Sequence, residues 1–319
     1  MSLDFFARGL VLVLAAHALV STVVALAVVP AERRVVARGP SPPGTMAGRL
    51  WLLRLSPSLA ALAVAWIGMS LSFVLWEPRL EAEAAGPVAL ATAGMGALLI
   101  ASGACRAGQA LWQTRCAHAA LRRATRAALP AMPVPAFLVE TSFPVVALVG
   151  LVRSRLFVAR AVVKACTADE LRTVMQHELA HARSRDNLRR IALIASPDIL
   201  GWTPAGRRMQ AAWAQAAELA ADETAARCPR DRRHLASALV KVVRLASTPA
   251  GPLPASALYG GEPIAERVRR LVDAPPPTGD SRPSATGRLV AIAALAGGAV
   301  LLMPAAYAAL EALMRVGLR

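Results

Sequence analysis

Two histidines four residues apart, with a glutamate directly after the first, give this chain its clearest chemical signature: His177-Glu178-Leu179-Ala180-His181. A helix with 3.6 residues per turn stacks positions i and i+4 on one face, so both imidazoles point toward a single ion. Glu178 lies roughly 100° round the axis, where its carboxylate reaches water beside that ion. This is how a helix holds a catalytic zinc ion next to a general base. The chain has only 5 histidines in 319 residues, so a random H-E-x-x-H has odds on the order of one per cent.

A catalytic zinc takes three protein ligands and keeps one position open. The third ligand is expected on another element, and Glu218 in Ala217-Glu218-Leu219-Ala220-Ala221-Asp222-Glu223 is the best-placed carboxylate. On a helix Glu218 and Asp222 share a face while Glu223 points away. Glu218 then serves as ligand and Asp222 accepts an imidazole N–H behind the metal, fixing tautomer and ring orientation. The competing reading makes both carboxylates a solvated helix face. His17 lies within an apolar run and is expected to be packed or part of a polar network, while His118 and His234 sit among arginines and are expected to face water. The donor that stabilises an oxyanion is not identified by the sequence; Tyr259 and His234 are the minor candidates.

These residues need elements to hold them. Thr167-Ala168-Asp169-Glu170 has the S/T-x-x-E form of a capping box, which predicts a helix over about 168–185 with the paired histidines in its last turns. Before it, short apolar pieces at 136–139, 145–152 and 156–158 predict strands of a small sheet, and the last is expected to accept an extended substrate as an added edge strand. The run 106–129 predicts a helix ended by Pro130, Pro133 and Pro135, and helices are predicted over 207–227, 232–247 and 263–272. The stretch 191–202, broken by Pro197 and Asp198, reads as an apolar connection packed on the membrane or on the domain. A proline-rich linker covers 274–283.

Composition places this machinery in a membrane. The chain is 56% hydrophobic with mean hydropathy +0.47, and 9–31, 55–76, 84–105 and 289–310 contain no charged residue. Each run has about the 20 residues needed to cross a bilayer's hydrocarbon core. A cleaved signal peptide is the rival reading of the first run, but its flank, with Asp4 and Arg8, is not basic. Arginines 33, 34, 38, 49 and 54 in the first loop, against the acidic 77–83 loop, put the first loop inside the cytoplasm and both termini outside. The expected fold is therefore a mainly α membrane protein with four transmembrane helices, divided as 1–105, a small α+β cytoplasmic domain at 106–288, and 289–319. Net charge is +16. Contact with anionic lipid headgroups of the bacterial inner membrane explains it more simply than direct nucleic acid binding, for which no recognition helix stands out. Cys105, Cys116, Cys166 and Cys228 show no C-x-x-C spacing and are expected to be reduced thiols.

The combination resembles the BlaR/MecR type of integral-membrane antirepressor metalloproteases. The resemblance rests on the paired histidines followed by Arg183, Asp186 and Asn187, on Glu218-x-x-x-Asp222, on Glu266-Arg267-Val268 before the linker, and on four spans enclosing a domain between the third and fourth. It implies a zincin-like (gluzincin) metalloprotease domain, with Glu178 as catalytic base, His177, His181 and Glu218 on Zn²⁺, and Asp222 and Asp186 behind the ligands. It also implies cleavage of a cytoplasmic winged-helix repressor of the BlaI/MecI type, releasing antibiotic-resistance or stress genes. Relatives that sense β-lactams carry a penicillin-binding domain after the fourth span, whereas nine residues follow Leu310 here. A member without that sensor is expected, triggered by another signal or by the membrane part itself. HtpX-like quality-control proteases share the two metal motifs and are the alternative. A non-catalytic signalling or scaffold protein is a further alternative, and homo-oligomers stay open.

Overall fold

The computed structural model describes residues 3–37, 41–76, 85–129, 133–141, 143–151, 153–246 and 264–273, with positions 308 and 312. Within them, Phe5–Val35, Pro43–Leu75 and Pro87–Arg123 are helices long and apolar enough to cross a membrane. The first lies in α1 (Leu3–Ala37). The second comprises α2 (Pro43–Ala61), a π-helical stretch (Leu62–Met69) and α3 (Ser70–Trp76), and the third is α4 (Pro87–Arg123). Proline opens both α2 and α4, where its missing N–H costs nothing. Small residues let α1 and α4 touch: a Cβ on Gly96 would sit 2.1 Å from the Leu14 carbonyl oxygen. The expected fourth span at 289–310 (apart from position 308), the 274–283 linker and the acidic 77–83 loop lie outside the described residues.

The helix expected over 106–129 stops at Arg123, and Thr125–Leu129 forms strand β1 instead. Its Ala/Arg composition favours helix in isolation, yet pairing with the next strand decides the outcome. β1 runs antiparallel to β2 (Ala136–Val139), β2 parallel to β4 (Arg155–Ala159), and β4 antiparallel to β3 (Val146–Val149), giving the order β1-β2-β4-β3. This order corrects the expectation for 156–158. Those residues lie in β4, which is interior with both edges paired, so they cannot accept a substrate strand. The sheet edge beside the histidine helix is β3.

Then follow α5 (Arg160–Ala165), α6 (Ala168–Ser184), α7 (Asp186–Ala195), a 3₁₀ turn (Ile199–Trp202), α8 (Pro204–Ala225), α9 (Pro229–Ala246) and α10 (Ile264–Asp273). The stretch 191–202, expected as an apolar connection broken by Pro197 and Asp198, is helical as far as Ala195, turns at Ser196–Asp198 and ends in a 3₁₀ turn. Two of the apolar clusters among the described residues position the site. In one, Val146, Leu156 and Val158 of the sheet pack with Val174 of α6, Leu235 and Leu239 of α9, and Leu271 of α10. In the other, α8 leaves the sheet side and lays Trp213, Ala216 and Ala217 on Ala47, Leu50 and Leu55 of α2. Burial of each large side chain contributes roughly 1.5–3 kcal/mol, so α6 is fastened to the sheet and α8 to a membrane helix.

The start of α6 is tied down by the expected capping box. Thr167 Oγ1 accepts the Glu170 N–H, and a Glu170 carboxylate oxygen accepts the Thr167 N–H at 2.7 Å. The same carboxylate accepts hydrogen bonds from Lys241 Nζ at 2.6 Å and Ser237 Oγ at 2.6 Å on α9. Burial works to raise its pKa, but these three donors outweigh it and bring the carboxyl down to about 2 from an ordinary 4.5. A carboxyl depressed in the folded state contributes stability that is full above its unfolded pKa and lost as pH falls through the folded one. Thermal melts of Glu170→Gln should show a loss of roughly 2–3 kcal/mol at pH 6, shrinking between about pH 5 and pH 2 until the two proteins coincide. A pH-independent difference would mean that Glu170 acts only through its shape.

Candidate metal centre

α6 ends at Arg185, which takes a left-handed conformation with φ 54° and ψ 40° and starts α7 at once. That sharp turn lets Asp186 reach back: its Oδ2 lies 2.8 Å from His181 Nδ1. On the facing helix α8, Asp222 Oδ1 lies 2.9 Å from His177 Nδ1, close in distance though poorly aligned as a hydrogen bond. Both rings are thus held at Nδ1 by an aspartate, and both turn Nε2 inward. The two Nε2 atoms are 3.1 Å apart, and Glu218 presents one oxygen 3.5 Å from His177 Nε2 and the other 3.5 Å from His181 Nε2.

These three separations test whether a cation fits. Ligands bonded at about 2.0–2.1 Å in a tetrahedron stand about 3.3–3.4 Å from one another. Ligand atoms of His177, His181 and Glu218 all lie within 4.8 Å of one another, forming the one such group among the described residues. The buried Glu218 Oε2 has no well-aligned hydrogen-bond donor. Two lone-pair nitrogens and a carboxylate turned toward one point are a donor set for a divalent metal ion.

The charges around that point are strongly coupled. Burial disfavours the imidazolium of His177, yet Asp222 and Glu218 outweigh burial and raise its pKa to about 10. Burial would also raise Glu218, but His177, His181 and Arg267 draw it well below the usual carboxylate range. Glu178 behaves differently. Desolvation, joined by the Glu218 charge, pushes its pKa up against the opposing pull of both histidines and of the Leu148 N–H, which donates to its carboxylate. Glu178 therefore combines burial with an enhanced proton affinity, the property a general base requires.

Sequence reasoning missed the role of Arg267. It noted the residue within Glu266-Arg267-Val268 but gave it no task. Its guanidinium grips Asp222 with Nε to Oδ2 at 2.8 Å and Nη2 to Oδ1 at 2.7 Å, and sets Nη1 3.0 Å from Glu218 Oε2. The side chain is buried, and its partners hold it firmly protonated against the cost of burial. One arginine on α10 thus fixes a carboxylate facing the metal point and another one turn along α8. The available signal was an arginine in an amphipathic helix whose apolar face predicts packing against the core.

Other expected residues stand apart. His118 is half-buried and sets its ring edge-on to Phe157 at 5.8 Å, and His234 is half-buried with an unpartnered Nδ1. Neither is fully exposed, and for His118 the sheet residue Phe157 supplies part of the cover. Tyr259 lies outside the described residues. His17 accepts from Trp66 Nε1 and donates from Nε2 to the Pro197 carbonyl at 2.8 Å, within a polar network as expected. At the β3 edge, Asn187 Nδ2 donates to the Leu148 and Gly150 carbonyls at 2.9 and 3.0 Å, so these two outward carbonyls are already engaged. Beside His177 and Glu178 opens a small apolar cavity of about 20 Å³, lined by Val146, Val174, Leu235, Leu239, Val242 and Ile264.

A sequence profile for the family described as BlaR1 peptidase M56 matches residues 95–271, which takes in α6, α8 and α10. No curated protein matches the chain, and no solved structure does. Replacing Arg267 with Met leaves two buried carboxylates without their counter-charge. Chelator competition on the purified chain should show metal retention weakened by about 10- to 100-fold, with Arg267→Lys recovering only part because an ammonium lacks the planar fork. Unchanged retention in both variants would remove Arg267 from the site.

Proposed function

Because the chain belongs to the BlaR1 peptidase M56 family, we propose that this membrane-associated metallopeptidase is a zinc endopeptidase that cuts a cytoplasmic winged-helix repressor and so relays an envelope or antibiotic signal. The observation that carries the reading is the set of separations of 3.1, 3.5 and 3.5 Å among His177 Nε2, His181 Nε2 and the two Glu218 oxygens. His177, His181 and Glu218 would hold the zinc ion, and Asp222 and Asp186 fix the two rings from behind. Once bound, zinc supplies Lewis acidity, activating water and polarising the scissile carbonyl.

The chain's own residues perform the remaining steps. Glu178, steadied by the Leu148 N–H, accepts the proton of the attacking water and delivers it to the nitrogen of the departing amine. Arg267 keeps Glu218 and Asp222 ionised and in place while that proton moves. The orientation read from loop charges places the 106–288 segment in the cytoplasm, both termini outside, and a fourth span at 289–310. That arrangement puts the site on the side where a repressor is found.

Glu178→Gln should keep its metal and lose about 10²- to 10⁴-fold in cleavage rate, whereas His177→Ala should lose metal and cleavage together. Comparing the cytoplasmic proteomes of cells carrying wild type and Glu178→Gln names the substrate. One winged-helix protein that stays intact only in the variant supports the reading. Many unfolded chains accumulating instead would make the protein a quality-control protease, and wild-type rates in Glu178→Gln would remove its catalytic role.

A further inference from the structure

The Ser196–Asp198 corner between α7 and α8 is gripped by a polar side chain from each described membrane helix. From α1, His17 donates to the Pro197 carbonyl. From α2, Arg54 Nη1 donates to both Asp198 oxygens at 3.0 and 2.9 Å, and Ser58 adds its hydroxyl to Asp198. From α4, Arg106 Nε and Nη2 donate to the Ile194 and Ser196 carbonyls at 3.0 and 2.9 Å, and a Cβ on Gly103 would sit 2.6 Å from the Ala195 carbonyl oxygen.

At the centre is the Arg54–Asp198 pair, with both side chains 0% exposed. Burying an ion pair is a poor way to gain stability, since desolvation offsets most of the attraction. This pair is worse than most for that purpose, because Arg54 Nε and Nη2 find no hydrogen-bond partner among the described residues. What such a pair does supply is direction: it fixes one register of α2 against the corner, where apolar packing would tolerate several.

That register reaches the metal centre along two helices. α7 leaves the corner toward Asp186, which holds His181. α8 runs 22 residues from Pro204 and carries Glu218. At 1.5 Å per residue, Glu218 is about 21 Å from the start of α8, so a tilt of about 5° at the corner moves it by about 2 Å. Its ligand separations are only 3.5 Å. α2 also backs the far part of α8 directly, through Leu50 and Leu55 against Trp213, Ala216 and Ala217, the last adjacent to Glu218.

We propose that Arg54 and Asp198 are positioning residues for the metal centre: their ion pair sets where α8 presents Glu218, so a shift of α2 against α1 and α4 is read out as a change in ligand spacing. The inference rests on the ligand reading of His177, His181 and Glu218. The test uses the full chain in detergent, with zinc affinity from chelator competition, the visible spectrum of the cobalt(II)-loaded protein, and thermal melting. Arg54→Met with Asp198→Leu replaces the pair by apolar groups of similar size and should stay folded. Zinc affinity should fall about 3- to 30-fold, and the cobalt bands should shift or weaken while the melting temperature holds. Asp198→Asn, which preserves shape, should show a smaller change of the same sign and serves if the double variant does not fold. Zinc affinity within twofold of wild type and an unaltered cobalt spectrum would overturn the inference. Wild-type protein that takes up neither metal would instead remove the ligand reading beneath it.

Discussion

Everything in this structure answers to one electrostatic constraint: two imidazole nitrogens and a carboxylate are held about one ligand–ligand distance apart in a buried place. Lone pairs turned on a common point repel unless a positive charge lies between them. Among the chain's own groups, the compensation comes from the Arg267 guanidinium and from a proton on His177, whose pKa is raised to about 10. A metal ion entering the site displaces that proton, so binding grows stronger as pH rises toward neutrality and beyond. Aspartates behind both rings and the arginine behind both carboxylates keep the arrangement from relaxing apart.

The local part of this design was legible in sequence because helical geometry is local. Four-residue spacing brings His177 to His181 and Glu218 to Asp222, and three-residue spacing joins Thr167 to Glu170. What could not be read was long-range pairing. Arg267 meets Asp222 from 45 residues away, and Arg54 meets Asp198 from 144. Nothing in either neighbourhood distinguishes such an arginine from the many others in the chain. The sheet shows the same limit: strands at 136–139, 145–152 and 156–158 were visible as apolar runs, but their order was not. Thr125–Leu129 hid inside a helical composition because its strand state comes from its neighbour β2. β4 lies inside the sheet, and on the β3 edge the Leu148 and Gly150 carbonyls serve Asn187 while the Leu148 N–H serves Glu178.

Membrane and site are one mechanical object. α6 is fastened to the sheet and α9, while α8 lies on α2 along its middle and only its last turn joins the sheet core, so the two halves of the ligand set lean on different supports. A centre assembled across such a seam has a geometry that depends on how the supports meet. Arg267 crosses the seam from a third element, tying α10 to α8. A change in how the membrane helices meet α8 would therefore reach the ligand set directly.

X-ray absorption on the zinc-loaded full chain reads the ligand set itself. A first shell of nitrogen and oxygen at about 2.0–2.2 Å, with the outer-ring signature of two imidazoles and no sulfur, is expected. A shell containing thiolate sulfur at about 2.3 Å, or one with fewer than two imidazoles, would contradict it.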